Sequence, residues 1–207
     1  MPELDIMKIK ICGLTKAEEA DSLNRNHVDF AGIVLFYPKS KRNTSPDTAA
    51  EIIKALDPHI KKVAVVVSPG VKEVQEIQDL GFDYIQIHGT VSEEALSAIQ
   101  IPILKAFNIG DRNQYDSFRG NPKIAGYVFD AQEPGSGKTF DWKLVKQVPH
   151  DGKMLLLAGG LTPENVEDAI DYVHPDGVDV SSGVEYGDRP GKDPIKIDRF
   201  VKAVRKI

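Results

Sequence analysis

The sequence predicts an α/β fold, a single (βα)8 TIM barrel with parallel strands. Strand-like apolar runs recur eight times along the 207 residues, and a segment with helical periodicity follows nearly every run. Several runs, such as Val63–Val67 and Met154–Leu157, are unbroken apolar stretches, which suits parallel strands covered on both faces. Repeated βα units allow an open doubly wound sheet or a closed barrel. Eight units in about 200 residues favour the barrel.

The eight runs alternate with helices, and several of these helices have recognisable start signals. A serine or threonine hydroxyl accepts a hydrogen bond from a free backbone N–H of the first turn, and proline there leaves no N–H unpaired. In chain order the runs are Lys8–Cys12, Phe30–Phe36, Val63–Val67, Tyr84–Ile87, Ile103–Phe107, Ala125–Phe129, Met154–Leu157 and Val178–Val180. The helix starts are Ser45-Pro46 before Asp47–Leu56, Ser92-Glu93-Glu94 before Ala95–Ile99, and Thr162-Pro163-Glu164 before Val166–Val173.

Composition and the chain's first residues exclude several classes of protein. No linker or low-complexity segment divides the chain, so residues 1–207 are predicted to form one domain, with residues 1–7 as a short N-terminal extension. A net charge of −5 disfavours binding to nucleic acid or an anionic membrane. The chain has neither a secretory start nor an apolar run near the roughly 18 residues of a membrane span, which predicts a cytoplasmic protein. A single cysteine excludes an internal disulfide.

Two acid–base candidates end different strand-like runs. Cys12 ends the first run, and Asp130 follows the sixth. In a parallel barrel all strands finish on one rim, where catalytic groups collect, so the two side chains are predicted to share that rim. A thiolate there acts as base or nucleophile, and a carboxyl in apolar surroundings keeps its proton near neutral pH. An inert packed thiol and a carboxylate that caps a loop are the alternatives, which these residues leave open.

Two glycine-containing segments after the last two runs are candidates for phosphate binding. Glycine lets backbone N–H groups approach an anion closely, and phosphate sites of this fold lie after strands seven and eight. Ala158–Pro163 contains Gly159 and Gly160, and Asp179–Glu185 contains Ser182 and Gly183. Tight turns are the alternative explanation for these glycines.

Gly135-Ser-Gly-Lys-Thr139 looks like part of a nucleotide-binding P-loop. The full motif requires a glycine at position 132, where this chain has Gln132. ATP or GTP binding is therefore not expected, and the segment is interpreted as a mobile loop over the ligand or an ordinary surface loop.

The remaining polar candidates are histidines, one aspartate and a basic segment. Among five histidines only His88 stands at a strand end, and no close ligand pair occurs, so a metal site is not expected. His88 is predicted to hydrogen-bond within the site or to line it. Asp179 either binds a sugar hydroxyl or supports its loop. Lys39, Lys41 and Arg42 lie close together in the sequence. On charge alone, a solvated loop is favoured over an anion site.

Taken together, six segments resemble phosphoribosylanthranilate isomerases. They occur in the family's order and are Lys10–Thr15, Phe36–Arg42, Gln86–Gly89, Gly135–Trp142, Ala158–Val166 and Val178–Glu185. The resemblance implies an Amadori rearrangement of N-(5-phosphoribosyl)anthranilate to 1-(2-carboxyphenylamino)-1-deoxyribulose 5-phosphate in tryptophan biosynthesis. The resemblance implies that no metal or organic cofactor is needed. The expected partner is a small phosphosugar substrate, and the protein is expected to be a monomer or a homodimer.

The resemblance also implies roles for individual residues. Asp130 matches the general acid and Cys12 the general base. Arg42 matches the arginine near the anthranilate carboxylate, which replaces the interpretation as a solvated loop, because a guanidinium engages a carboxylate through two hydrogen bonds. The phosphate-binding positions are Gly159, Gly160, Ser182 and Gly183, and the other two substrate-binding positions are His88 and Asp179.

Three other functions are compatible with a phosphosugar barrel. A metal-dependent epimerase requires clustered histidine and carboxylate ligands, which the sequence does not present. Indole-glycerol-phosphate synthase requires a strand-end lysine acid, and Lys105 is the lysine placed for that part. A non-catalytic sensor of phosphorylated ligands would keep the barrel with a disabled acid–base pair, yet Cys12 and Asp130 are both present.

Overall fold

The computed structural model describes residues 7–108, 115–130, 142–145 and 151–206, and it contains the predicted barrel. Its strands are β1 (Lys8–Cys12), β2 (Phe30–Leu35), β3 (Asn43–Thr44), β4 (Lys61–Val67), β5 (Tyr84–His88), β6 (Ile103–Asn108), β7 (Ile124–Asp130), β8 (Met154–Ala158) and β9 (Gly177–Val180). Eight of them pair in parallel in the order β1-β2-β4-β5-β6-β7-β8-β9, and β9 pairs with β1 to close the ring. Each predicted run coincides with a barrel strand to within two residues at either end.

The helices lie outside the ring, between successive barrel strands. They are α1 (Ala20–Arg25), α2 (Pro46–Ala55), α3 (Val71–Asp79), α4 (Glu93–Ala98), α5 (Tyr115–Phe118), α6 (Trp142–Val145), α7 (Val166–Val173) and α8 (Pro194–Arg205). Two of the predicted start signals act as expected, because Ser45 Oγ accepts from Thr48 N at 3.1 Å and Ser92 Oγ accepts from Ala95 N at 3.2 Å. Among the described residues, no helix has the length and apolar character needed to cross a membrane.

Strand β3 was not predicted, and it brings a loop back over the mouth of the barrel. One edge of β2 pairs with β4 through Val34, and the other edge pairs with β1 only as far as Cys12 and Gly32. Beyond that point β3 pairs with β2 in parallel, Val34 with Asn43. The segment just before β3 therefore lies over the C-terminal end of β1.

Apolar side chains form two layers, one inside the ring and one between the ring and the helices. The inner layer consists of Phe30, Val34, Val63, Val65, Leu104, Ala106, Val128, Leu156 and Ala158. Since successive side chains of a strand face opposite sides, Asp130 faces inward like Val128, two residues before it. Cys12 packs against the same inner layer. The alternation thus places both acid–base candidates inside the ring, at the end where the parallel strands finish.

Candidate active site

Cys12 lies above a buried ion pair. Lys10, two residues earlier on β1, donates from Nζ to Asp179 Oδ2 at 2.9 Å, and both side chains are buried. Burial by itself would lower the pKa of Lys10, but the charge of Asp179 and the neighbouring Cys12 raise this pKa above its ordinary value. Burial raises the pKa of the Cys12 thiol, while the positive charges of Lys10 and Lys192 act in the opposite direction. The thiol is thus part of a cluster of charged groups.

Lys192 is a second buried cation of the mouth, and the sequence did not predict its place there. Its Nζ donates to the Ser181 carbonyl at 3.2 Å, to Ser181 Oγ at 3.1 Å and to Glu185 Oε1 at 3.3 Å. Ser181 Oγ in turn donates to the Cys12 carbonyl at 2.8 Å. Burial lowers the pKa of Lys192 despite the neighbouring Glu185. No motif marks this lysine, because it reaches the site from a long loop between β9 and α8.

Arg42 lies beside the Cys12 loop, held by Glu185. Its Nε donates to Glu185 Oε1, while Lys41 Nζ donates to Glu185 Oε2 at 2.8 Å. Gly13 has a φ of +80°, and a Cβ there would lie 2.4 Å from Arg42 Cδ, so the arginine stem packs directly on this glycine. Burial raises the pKa of Glu185, but hydrogen bonds from Arg42 and Lys41 and the charge of Lys192 outweigh it and lower this pKa to about 2. Lys39 is exposed.

The two glycine-containing loops contact each other beside the mouth. Gly159 and Gly160 adopt φ values of +93° and +64°, a region that favours glycine. A Cβ on Gly183 would lie 1.9 Å from the carbonyl oxygen of Leu161, so only glycine lets the loop after β9 pack against the loop after β8. Ser182 begins a short 3-10 turn, Ser182–Val184, and is exposed. The glycines therefore serve close packing and leave backbone groups at the rim.

His88 and Asp179 occupy inward-facing positions near the C-terminal ends of β5 and β9. His88 Nε2 lies 2.9 Å from Gln86 Nε2. Burial, together with the charges of Lys10 and Lys105, lowers the pKa of His88 to about 4, so the ring is neutral at pH 7. Asp179 Oδ1 is buried and has no hydrogen-bond partner within the described part of the chain. Nor do the described residues contain a cluster of three or more potential metal-ligating side chains.

Lys105 faces away from the mouth, contrary to the part considered for it in a synthase. Its Nζ donates to the carbonyls of Ile87, Gly89 and Ala106 at 3.3, 3.0 and 2.9 Å. It also lies 4.7 Å from the centroid of the Phe107 ring, which belongs to the layer between ring and helices. A strand-end lysine acid must reach into the mouth, and Lys105 does not. The P-loop-like segment 135–139 lies outside the described residues.

Comparison with known proteins gives one consistent result. The family model for N-(5'phosphoribosyl)anthranilate (PRA) isomerase matches residues 9–203. Among curated relatives, N-(5'-phosphoribosyl)anthranilate isomerases of Geotalea uraniireducens and Aquifex aeolicus are 41% and 37% identical, over 97% of this chain and 99% of each relative. The crystal structure of phosphoribosyl anthranilate isomerase from Thermotoga maritima matches with a TM-score of 0.84 and 35% identity, covering 97% of this chain and all of that one.

A further similar structure contains a ligand. It is a phosphoribosyl anthranilate isomerase in complex with reduced 1-(o-carboxyphenylamino)-1-deoxyribulose 5-phosphate, with a TM-score of 0.81 and 33% identity over 97% of this chain and 100% of that chain. Another is described as monomers generated from the dimeric Thermotoga maritima isomerase, at 35% identity and a TM-score of 0.82 over 97% of this chain and 100% of that chain.

Proposed function

Because the chain belongs to the N-(5'-phosphoribosyl)anthranilate isomerase family, we infer that it converts N-(5-phosphoribosyl)anthranilate to 1-(2-carboxyphenylamino)-1-deoxyribulose 5-phosphate in tryptophan biosynthesis. The observation that carries this conclusion is the full-length match to this one family. Inward-facing Cys12 and Asp130 on one rim of the barrel supply the acid–base chemistry that the isomerisation requires.

Asp130 acts as the general acid in the first step. It gives its proton to the ribose ring oxygen, the bond from C1 to that oxygen breaks, and the nitrogen lone pair forms an iminium ion with C1. Asp130 is the register partner of Ala158 on β8 and faces the interior of the ring, as Val128 does. The protonated carboxyl is the form that this step consumes.

Cys12 acts as the general base in the second step. Its thiolate removes the proton from C2, and the electron pair of the broken bond forms a C1–C2 double bond while the iminium nitrogen becomes neutral. The resulting enol gives its hydroxyl proton to solvent or a side chain, and C1 takes up a proton, which yields the ketone. All atoms of the substrate are retained, and the two side chains return to their starting states after proton exchange.

Three side chains are proposed to orient the sugar and the anthranilate. Glu185 engages Arg42 through Nε, and within the described residues the terminal nitrogens of the guanidinium have no other hydrogen bond, so they suit the anthranilate carboxylate. Asp179 Oδ1, a buried acceptor, is suited to a sugar hydroxyl, since a bound hydroxyl would satisfy it. Neutral His88 lines the same mouth as a hydrogen-bonding group.

The phosphate is proposed to bind between the two contacting loops. Backbone N–H groups at Gly159, Gly160, Ser182 and Gly183 provide uncharged donors, and the close packing of Gly183 on Leu161 holds the two loops together. We further propose that the protein is a monomer or a homodimer, which sedimentation velocity on the purified chain distinguishes directly.

Single substitutions at the acid and base test the mechanism. Cys12→Ala and Asp130→Asn are each expected to lower turnover by about 100- to 10,000-fold, the usual contribution of a positioned acid or base. The assay follows loss of substrate fluorescence, with the unstable substrate generated in place. Asp83→Asn is the matched control, because Asp83 precedes β5 at the opposite end of the ring, where its carboxylate accepts from Lys62 N at 2.9 Å. Near-normal turnover in a folded Cys12→Ala or Asp130→Asn protein would reject that residue's role.

A further inference from the structure

Beneath the proposed base lies a charge arrangement that protein stability does not explain. Lys10 and Asp179 are register partners on adjacent strands β1 and β9, and their side chains are 0% and 6% exposed. Moving two charges out of water costs several kcal/mol per ion, and a well-packed apolar pair of similar volume is often at least as stable. A buried pair at this position, directly below Cys12, therefore suggests a role in the site.

Gly32 shows how close the ammonium and the sulfur are. It is the register partner of Cys12 on β2. A Cβ on Gly32 would lie 2.9 Å from Cys12 Sγ and 3.1 Å from Lys10 Nζ, so both atoms border the same small space. The Gly32 carbonyl also accepts from Gly13 N at 2.8 Å and Leu14 N at 3.0 Å, which fixes the backbone that follows the cysteine. Any side chain at position 32 would enter the space that the sulfur and the ammonium border.

In the part of the chain that the structure describes, three charged groups act on the pKa of the thiol. Lys10 faces it from β1, Asp179 from β9, and Lys192 from the loop before α8, while Gly32 of β2 contributes no charge. Asp179 binds Lys10 through Oδ2 and so fixes the ammonium beneath the sulfur. Lys192 is directed at Ser181 and Glu185, which places its hydrogen bonds elsewhere.

We propose that Lys10 is a positioning residue for the Cys12 base: its ammonium, fixed by Asp179 in the space that Gly32 leaves open, is the counter-charge that stabilises the thiolate. The proposal rests on the proposed function, in which Cys12 acts as a thiolate. A thiolate in apolar surroundings is otherwise disfavoured, since burial penalises the charged form. The influences on the thiol pKa agree with this role. Burial raises the pKa of Cys12, Lys10 is the largest influence that lowers it, and Asp179 raises it as burial does.

These opposite signs give a test that a merely structural role would not pass. Cys12 is the single cysteine, so the rate of its alkylation by iodoacetamide as a function of pH reports its thiolate alone. Lys10→Met is expected to raise the thiol pKa, and a rise of about one in this pKa slows alkylation near pH 7 about tenfold. Asp179→Asn is expected to lower the thiol pKa and to speed alkylation, because it removes a negative charge and leaves Lys10 in place.

Two further variants keep the test decisive. Lys10→Met leaves Asp179 buried without its partner, so if that protein does not fold, the double variant Lys10→Met/Asp179→Asn replaces it. Its thiol pKa is also expected to rise, because the influence of Lys10 on the thiol exceeds that of Asp179. Lys8→Met is the matched control on the same strand: Lys8 is exposed, pairs with Asp29 at 3.0 Å, and is expected to leave the alkylation profile unchanged.

An unchanged thiol pKa in the double variant, or thiol pKa changes of the same sign in Lys10→Met and Asp179→Asn, would overturn the proposal. Alkylation needs no substrate, so this result is independent of turnover. Failure of the proposed function has a different signature, namely normal turnover in Cys12→Ala. If the proposed function and the role of Lys10 are both correct, kcat/KM of the Lys10 variant rises at a higher pH than that of the wild type. The alkylation profile shifts to higher pH by the same amount.

Discussion

Replacing Glu185 by glutamine removes the one carboxylate to which Lys41, Arg42 and Lys192 all bind in the described structure. The pKa of Glu185 falls from 4.5 to about 2, and a pKa difference of one corresponds to about 1.4 kcal/mol, so the charged form contributes up to about 3 kcal/mol to folding. Glutamine keeps the size and some hydrogen bonding but loses the charge. Glu185→Gln is therefore expected to lower the free energy of unfolding by about 1–3 kcal/mol at pH 7.

The effect of Glu185 has a defined pH dependence. Because the pKa is lower in the folded protein, the stabilisation is complete above pH 4.5 and is lost as the pH falls toward 2. The difference in the free energy of unfolding between the wild type and Glu185→Gln, measured with urea, should therefore be constant from pH 7 to about pH 5 and should shrink steadily at lower pH.

Glu164→Gln is the matched control for this measurement. Glu164 pairs with Arg199 at 2.9 Å, but both side chains are mostly exposed, and exposed pairs contribute about 0–1 kcal/mol. An equally small effect of Glu185→Gln at pH 7, or a difference that persists unchanged to pH 3, would refute the electrostatic explanation. In the kinetic assay, Glu185→Gln should raise KM more than it lowers kcat, because Arg42 loses the carboxylate that holds it in place.

The remaining predictions concern the thiol, the carboxylate contact and the histidine. Gly32→Ala should destabilise the fold by about 1–3 kcal/mol through overpacking, and it should also slow the alkylation of Cys12. Gly120→Ala, with nothing within 4 Å of its Cβ, should have neither effect. Equal unfolding curves for the two variants would contradict the close contact at Gly32. Arg42→Ala should raise KM by about 10- to 100-fold with a smaller change in kcat, the loss of a charge-assisted hydrogen-bonded contact, and an unchanged KM would exclude carboxylate recognition. His88 should show no titration by NMR between pH 5.5 and 8, since its pKa is about 4; a midpoint near 6.5 would show that the ring is not desolvated.

The barrel was predictable because its signal is local and repeated. Each strand is a short apolar run, each run is followed by an amphipathic segment, and these patterns depend on neighbouring residues in the chain. The positions of Cys12 and Asp130 followed from the same information, since the carboxyl ends of parallel strands must share a rim. The two-residue strand β3 was missed because it is too short to show any periodicity.

The direction of a side chain was less predictable than the end of a strand. Lys10 and Lys105 are both buried lysines of barrel strands, yet one faces the interior of the ring and the other the helices. Strands apolar on both faces lack the alternation that would tell inward from outward positions. This is why the sequence marked Lys105 as a candidate acid and gave Lys10 no role beyond its place in the segment Lys10–Thr15.

The sequence by itself therefore determined the class of fold, the family and the positions of the proposed acid and base, because periodicity, strand ends and ordered motifs are properties of short stretches. Only the tertiary structure decided which charges surround the thiol. Lys10 meets Asp179 across 169 positions, and Arg42 meets Glu185 across 143. Such contacts depend on strand register and on the conformation of the loops. The interaction between two charges depends on the distance between them in space, and the order of residues does not give that distance.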